Sequence, residues 1–369
     1  MKYYLIAGER SGDLHGGNLI QAIRRHDPAA TFRAWGGEQM EVAGAVLVRH
    51  YREMAFMGFW EVVQNLGAIR RNFRDCERDL LANRPDVLIL IDYAGFNLRM
   101  ARFAKKHGIR VFYYISPKVW AWNQKRALKI KATVDRLFVI LTFEVDFFRQ
   151  YDYRVDYVGN PLMDAIAAFQ PDATFAGRFT KPVVALLPGS RKQEVEGVLP
   201  TMLAATKAFP DYQFVVAGVS NLPEMLYQKH LAAYPGITVV NDDAYNLLSV
   251  AEAALVTSGT ATLETALLDV PQVVCYRTGR ISYEIARRLI AVPYISLVNL
   301  IADKPAVTEL IQNDLTPERL ADELRQILPG GSRRAAMLTD YAELRDRVGG
   351  PGASDRAGEL MVSYLRNAE

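Results

Sequence analysis

The chain has 369 residues, more than a single hydrophobic core usually organises, so its length predicts two domains. Half of the residues are hydrophobic, 23% are charged and the net charge is +3, which is ordinary for a globular protein and too small to indicate nucleic-acid binding. Cys76 and Cys275 lie far apart without histidines at metal-ligand spacing, so we expect reduced thiols and no zinc site.

The N-terminus begins directly with a strand-like run. No basic segment followed by an apolar stretch precedes it, and no apolar run is long enough to span a bilayer. The sequence therefore predicts a cytoplasmic protein without a signal peptide, and it leaves open contact with a membrane surface.

The first half alternates short apolar strands with amphipathic helices, which indicates a parallel sheet covered on both faces. A strand at 2–7 leads through a glycine-containing turn into a helix at 14–25, and the turn lacks the full spacing of a dinucleotide fingerprint. The other strands predicted in this half are 32–35, 87–91, 110–115 and 137–140. Loops at the carboxyl ends of such strands usually carry function.

Two of these loops contain candidate site residues. Asp92 follows an apolar strand directly, where an α/β enzyme places a catalytic carboxylate, although a turn or helix-capping role would also explain it. Trp120 and Trp122 follow the next strand, and they suit either a ligand contact or the core.

An apolar run at 54–63 contains Phe56, Met57, Phe59 and Trp60 and is followed by Arg70, Arg71 and Arg74. This order suits a surface that meets acyl chains and anionic head groups. A buried helix with a solvated basic face would produce the same pattern.

A polar segment at 170–182 reads as a linker, and a second alternation follows. Its predicted strands are 183–187, 213–217, 237–240, 253–256 and 272–276, and a later β-like run covers 294–300. The first of them leads into Pro188-Gly189-Ser190-Arg191, a glycine turn with an arginine that suits a diphosphate, although an arginine in a surface loop is the simpler alternative.

The stretch Ser258-Gly259-Thr260-Ala261-Thr262-Leu263-Glu264 joins a buried strand to a helix. Backbone N–H groups and the helix dipole at such a turn favour an anion, and Glu264, one helical turn further on, could accept hydrogen bonds from a ribose diol. An ordinary Ser/Thr-capped helix is the alternative.

Seven motifs in this order and spacing resemble the lipid-A-disaccharide synthase family of bacterial glycosyltransferases, over about residues 3–312. They are AGERSGD, IDYAGFN, SPKVWAW, VGNPL, LLPGSR, SGTATLE and SLVNLIA. The resemblance implies an α/β protein of the GT-B fold, with two Rossmann-like parallel-sheet domains facing a cleft. The expected division is 1–168 for the acceptor and membrane side, 183–330 for the UDP-sugar side, and 331–369 for C-terminal helices crossing back to the first domain.

The resemblance implies an inverting transfer that joins UDP-2,3-diacylglucosamine to 2,3-diacylglucosamine 1-phosphate and releases UDP. It implies no metal and no organic cofactor, a peripheral position at the inner face of the inner membrane, and no nucleic-acid partner; a homodimer is left open. The matching motifs assign the catalytic role to Asp92, the acceptor to Gly8, Ser11, Gly12 and Asp13, and the nucleotide to Gly189, Ser190, Arg191, Ser258, Gly259, Thr260, Glu264 and Asn299.

The sequence departs from the family pattern at three positions. Asn160 stands where many members have histidine, Val298 where many have proline, and Gly95 where an acidic residue is frequent. Two rival functions remain open: a UDP-sugar epimerase of the same fold, which would convert a UDP-sugar without an acceptor, and a non-catalytic nucleotide-binding scaffold.

Overall fold

The structure is a computed structural model that describes residues 1–54, 66–279, 283–284, 287 and 292–367. It divides into two compact units, Met1–Asp164 with Gly350–Glu369, and Ala165–Gly349. Residues 55–65, which include most of the predicted apolar run at 54–63, therefore lie outside the described residues, as does the side chain of Trp122. Within the described residues, no helix is both long and apolar enough to cross a membrane.

The first unit contains a seven-stranded sheet in the order β3-β2-β1-β4-β5-β6-β7, and every neighbouring pair is parallel. Its strands are β1 Lys2–Ala7, β2 Thr31–Gly36, β3 Val46–His50, β4 Val87–Ile91, β5 Arg110–Tyr114, β6 Arg136–Val139 and β7 Asp156–Tyr157.

Helices connect these strands, and one further helix comes from the C-terminus. In chain order they are α1 Arg10–His26, α2 Glu38–Val42, α3 Leu66–Asn83, α4 Ala94–Lys106, α5 Val119–Trp122, α6 Arg126–Thr133, α7 Thr142–Arg149 and α8 Pro161–Ala168, of which the last runs from the first unit into the second. The C-terminal helix of this unit is α16, Ala353–Arg366.

The second unit contains a six-stranded parallel sheet in the order β10-β9-β8-β11-β12-β13. Its strands are β8 Val183–Leu187, β9 Gln213–Gly218, β10 Thr238–Asn241, β11 Ala251–Thr257, β12 Gln272–Tyr276 and β13 Thr308–Ile311. Its helices are α9 Lys192–Thr206, α10 Glu224–Leu231, α11 Ala244–Ser249, α12 Thr260–Leu267, α13 Leu297–Ala302, α14 Pro317–Ile327 and α15 Arg334–Val348.

Both sheets follow the Rossmann pattern, in which the strand order reverses once. The reversal falls between β1 and β4 in the first sheet and between β8 and β11 in the second. Connections from the two strands at such a point leave in opposite directions, so a crevice opens at their carboxyl ends, where ligands bind in this class of fold. The turns after β1, β4, β8 and β11 are thus the positions at which a site is expected.

The sequence patterns located most strands and missed three. Strands β4 and β8 are fully buried, and continuous apolar runs marked them. The predictions did not include β3, which lies at the edge of its sheet and is only partly buried, β7, which has two residues, or β13, which is partly exposed.

Two predictions about the later chain differ from the structure. The run at 294–300 was expected to be β-like, but Leu297–Ala302 is helical because Ser296 caps it by accepting a hydrogen bond from the Asn299 N–H. The return to the first domain was expected from residue 331; α15 instead belongs to the second unit, and only Gly350 onward belongs to the first.

Candidate active site

The reversal point of the first sheet brings together Gly8, Asp92 and Tyr93. Asp92 and Tyr93 follow β4 with φ angles of 45° and 48°, the left-handed region that few residues other than glycine adopt. A Cβ atom on Gly8 would lie 2.3 Å from the Tyr93 ring, so only glycine allows this approach. Predicted acceptor-side and catalytic-side residues therefore meet at one edge of the sheet.

Neighbouring side chains hold the backbone of Asp92 in this conformation. The Asn97 amide donates hydrogen bonds to the carbonyl oxygens of Asp92 at 2.8 Å and Ile91 at 3.1 Å, and the Tyr113 hydroxyl also donates to the Asp92 carbonyl. Strained backbone that is fixed by several partners is characteristic of functional sites. The arrangement therefore fixes the half-buried Asp92 at the end of β4.

The Tyr93 side chain connects this turn to the residues that precede position 55. Its hydroxyl donates to the Met54 carbonyl at 2.9 Å, and its ring stacks on Phe96. Burial raises the pKa of the Tyr93 hydroxyl, and the charge of Glu9 acts in the same direction. The hydroxyl therefore stays protonated near neutral pH and can serve as a donor.

The other residues assigned to the acceptor have different surroundings. Ser11 is exposed on the first turn of α1, whereas Gly12 is buried, and a Cβ there would lie 3.0 Å from the Ala7 Cβ. Asp13 is 1% exposed, and its carboxylate accepts hydrogen bonds from the N–H groups of Gly37, Gln39 and Met40 at 2.7–3.2 Å. In this structure the Asp13 carboxylate anchors the start of α2, and its contact with the acceptor stays a prediction.

Trp120 is a core residue rather than an exposed ligand contact. It is 4% exposed, packs edge-to-face on Phe143, and donates its indole N–H to Glu144 at 3.2 Å. The same carboxylate accepts from the N–H groups of Ile140 and Leu141. Burial raises the pKa of Glu144 to about 7, although these three donors act in the opposite direction. Sequence reasoning missed this residue because an acid near a helix start carries no sign of its burial.

Asn160 and Gly95, two of the departures from the family pattern, have simple local roles. Asn160 is buried and accepts a hydrogen bond from the Leu162 N–H at 3.0 Å, as a helix-capping side chain does. Gly95 is exposed, and a Cβ at this position would meet no atom within 4 Å, so a larger residue would also fit.

The reversal point of the second sheet begins with the turn Gly189–Ser190–Arg191 after β8. Gly189 has a φ angle of 107°, and a Cβ there would lie 2.4 Å from Oε2 of Glu194. That oxygen accepts hydrogen bonds from the N–H groups of Ser190 at 3.0 Å and Arg191 at 3.2 Å. Oε1 of Glu194 pairs with the Arg191 guanidinium at 3.3 Å. The positive φ and the close approach of the Glu194 carboxylate thus both favour glycine at position 189. The sequence motif did not reveal this contact.

The turn after β11 is open by comparison. The Ser258 hydroxyl donates to the Ile295 carbonyl at 2.9 Å, which fixes the turn, and Gly259 is the N-cap of α12 without a side-chain capping bond. A Cβ on Gly259 would meet nothing within 4 Å, and Thr260 is exposed. The alternative of a Ser/Thr-capped helix is therefore wrong. The N–H groups at the start of α12 could donate hydrogen bonds to an anion.

Glu264 lies on α12, one turn beyond this start. The Tyr245 hydroxyl donates to its Oε1 at 3.2 Å, and burial raises the pKa of the Glu264 carboxyl above its ordinary range. The hydrogen bond orients the carboxylate on a rigid helix, as a residue that recognises a diol requires.

Asn299 differs from the other residues assigned to the nucleotide. It is 1% exposed; its amide N–H donates to the Val307 carbonyl at 3.0 Å and to Glu309 at 2.9 Å, while its oxygen accepts from the Val307 N–H at 2.9 Å. These bonds involve both ends of the amide, and a direct nucleotide contact of Asn299 stays a prediction. Asn299 ties α13 to the segment that precedes β13.

The described residues contain no group of three or more His, Cys, Asp or Glu side chains that could hold a metal ion. Both cysteines are buried free thiols.

Two parallel Rossmann-like sheets, each with a polar turn at its reversal point, define the GT-B class of fold. Solved structures that share it include the UDP-GlcNAc 2-epimerase of Neisseria meningitidis bound to UDP-GlcNAc, with a TM-score of 0.67, 13% identity and 100% of both chains covered. The calicheamicin glycosyltransferase CalG4 has a TM-score of 0.60 and 16% identity, over 100% of this chain and 98% of that one. At these identities the likeness concerns the fold alone.

Sequence comparison identifies the family. The profile of the lipid-A-disaccharide synthetases matches residues 3–361. A lipid-A-disaccharide synthase of Syntrophus aciditrophicus is 41% identical, with 99% of this chain and 98% of that protein covered, and one of Myxococcus xanthus is 37% identical, with 98% and 97% covered. The chain belongs to the lipid-A-disaccharide synthase family and is a glycosyltransferase of lipid A synthesis.

Proposed function

We propose that the first unit carries the base and the acceptor determinants of this transferase, and that the second carries the determinants for the UDP portion of the donor. The reaction joins UDP-2,3-diacylglucosamine to 2,3-diacylglucosamine 1-phosphate and yields the disaccharide 1-phosphate and UDP. Its principal support is the backbone of Asp92, held in a left-handed conformation at the reversal point beside Gly8 and Tyr93.

In this proposal the Asp92 carboxylate takes the proton of the acceptor hydroxyl. The hydroxyl oxygen forms a bond to the anomeric carbon of the donor, while the bond from that carbon to the diphosphate breaks and its electron pair leaves with UDP. Attack from the face opposite the leaving group inverts the anomeric centre. A base positioned in this way typically contributes 10²–10⁴-fold to the rate.

The leaving diphosphate needs compensation of negative charge. The Arg191 guanidinium and the uncapped N–H groups at the start of α12 are the groups suited to this role, since charge-assisted bonds and helix N-termini stabilise phosphate oxygens. Glu264, oriented by Tyr245, is suited to the ribose hydroxyls.

A transfer assay with the diacyl UDP-sugar and the lipid monosaccharide phosphate tests the proposal. Disaccharide and UDP should appear together and only when both substrates are present. Conversion of the UDP-sugar alone would instead support epimerase chemistry, and UDP binding without any turnover would support a scaffold.

We also propose that the first unit meets the bilayer surface that carries the acylated substrates. Arg70, Arg71 and Arg74 are exposed on α3 and follow the apolar run at 54–63 in the sequence. Each basic side chain near an anionic membrane contributes about 1 kcal/mol, which suits peripheral association.

A further inference from the structure

The strongest unassigned feature beside the proposed donor site is the carboxylate of Glu194. Its two oxygens accept hydrogen bonds from the N–H groups of Ser190 and Arg191 and from the Arg191 guanidinium. These are the donors of the turn that suits a diphosphate. One side chain therefore controls both the backbone of the turn and its arginine.

The geometry makes this arrangement specific to position 194. Glu194 is the third residue of α9 and Arg191 is its N-cap, so the carboxylate reaches back over the first turn in a capping box. Gly189 has a positive φ, and a Cβ there would lie 2.4 Å from Oε2 of Glu194, so the absence of a side chain at 189 lets the carboxylate approach the turn. The turn and the carboxylate are thus mutually adapted.

Exposure separates the roles of the two side chains. The Glu194 side chain is 27% exposed, whereas the Arg191 side chain is 53% exposed. The Arg191 side chain is thus the more accessible of the two, and Glu194 contacts its guanidinium through Nη1. An arginine held in this way loses less conformational freedom when it binds phosphate oxygens.

We propose that Glu194 is a positioning residue of the donor site, which holds the Gly189–Arg191 turn and the Arg191 guanidinium in the arrangement that receives the donor diphosphate. The inference rests on the proposed function of this turn. Glu194 acts through Arg191 and takes no part in bond making or breaking.

Calorimetric titration of the full-length protein with UDP tests the role. Glu194→Ala should weaken UDP binding about tenfold, the factor that corresponds to 1.4 kcal/mol. In the transfer assay it should raise the KM for the UDP-sugar more than it lowers kcat. Glu194→Gln preserves the cap to the backbone but loses the charge that faces the guanidinium, so its affinity should lie between those of Glu194→Ala and the wild type.

A control separates positioning from simple loss of a helix cap. Thr316 caps α14 in the same unit by accepting a hydrogen bond from the Arg319 N–H. Thr316→Ala should lower thermal stability as a cap loss does and leave UDP affinity unchanged. If it weakens UDP binding as much as Glu194→Ala does, the effect is one of stability and the positioning role is excluded.

A double-mutant cycle with Arg191→Ala completes the test. If Glu194 acts mainly through Arg191, the loss of UDP affinity in the double variant should be smaller than the sum of the two single losses. Fully additive losses, unchanged binding in Glu194→Ala, or tighter binding through removal of a competing anion would each overturn the inference. In those cases, weaker UDP binding by Arg191→Ala would leave the proposed function of the turn intact. Unchanged UDP binding in both Glu194→Ala and Arg191→Ala would refute the role of the turn itself.

Discussion

Glu144 and Glu194 occupy the same position within two helix starts, one in each unit, and have opposite surroundings. Each is the third residue of the helix that follows a strand, and each accepts hydrogen bonds from the two backbone N–H groups around the helix start. The third donor is the buried indole of Trp120 in one case and the exposed guanidinium of Arg191 in the other. The same local motif thus serves as an internal connection in the first unit and as part of a charged surface in the second.

The difference extends to the two reversal points. At the first, the Asn97 side chain fixes the left-handed backbone of Asp92. This holds the Asp92 carboxylate in place, as proton transfer requires. At the second, the N–H groups at the start of α12 and the guanidinium of Arg191 are hydrogen-bond donors that suit a leaving diphosphate. A transferase needs both chemistries, and in the proposed function each unit provides one of them.

The most severe test of this division is Asp92→Asn. The amide cannot take the acceptor proton, so turnover should fall by about 10²–10⁴-fold, while UDP affinity stays normal because that determinant lies in the second unit. Transfer assays and calorimetry measure the two quantities on the same preparation. Near-normal turnover would show that Asp92 is not the base. Lost UDP affinity would contradict the proposed assignment of the base to the first unit and of UDP binding to the second.

The burial of Glu144 can be tested by the pH dependence of stability. The raised pKa of Glu144 means that the folded protein binds a proton that the unfolded chain releases above its ordinary pKa of 4.5. Stability from this group is therefore present below pH 4.5 and is lost as the pH rises to about 7, with a change of about 3 kcal/mol.

Denaturant unfolding of the wild type and of Glu144→Gln at pH 5 and pH 8 measures this change. The wild type should lose stability relative to the variant as the pH rises. Glu194→Gln makes the same chemical change at the other helix start and controls for the general effect of replacing a capping carboxylate by an amide. A Glu144→Gln difference that is equal at both pH values would contradict the burial argument.

Arg191→Ala sharpens the second half of the comparison. Loss of a charge-assisted hydrogen bond should weaken UDP binding by about 1.5–3 kcal/mol and slow departure of the diphosphate. Lys192→Ala removes the neighbouring exposed cation and should have little effect, because it lacks the fixed geometry of the guanidinium. Equal effects of the two substitutions would indicate general electrostatic attraction rather than a positioned contact.

The smallest expected effect concerns the outer surface of the first unit. The protein should co-sediment with anionic vesicles at low salt and be partly released at high salt, because exposed charges are screened. Arg70→Gln with Arg74→Gln should reduce binding. Arg319→Gln with Arg325→Gln, an equal charge change in the second unit, should not. Wild-type protein that ignores vesicles at every salt concentration would refute the membrane proposal and leave the transferase chemistry intact.

The sequence was informative wherever one local pattern determined the outcome. Continuous apolar runs located β4 and β8, and the topology of alternating strands and helices placed Asp92, Arg191 and Thr260 beside the reversal points. Whether these side chains contact substrates stays a prediction.

Hydrogen bonds between residues that are not neighbours in the sequence could not be predicted from local patterns. Asp13 and Asn299 match family motifs, yet their polar atoms are used by backbone groups 24–27 and 8 residues away, respectively. The run at 294–300 has β propensity, but the Ser296 cap and the bonds from its backbone to Glu309 favour a helix start. Tertiary hydrogen bonding therefore outweighed local preference at these positions.

Helix α16 has a consequence for how the protein is made. It packs against α1 so closely that a Cβ on Gly358 would lie 2.9 Å from the Ala22 Cβ, and it contributes Met361 and Val362 to the core of the first unit. Because chains emerge N-terminus first, the ribosome must synthesise the whole second unit before this core can close. The second unit can complete its own fold while the first still exposes an apolar helix face, so a nascent chain stalled before residue 350 is a natural substrate for chaperones.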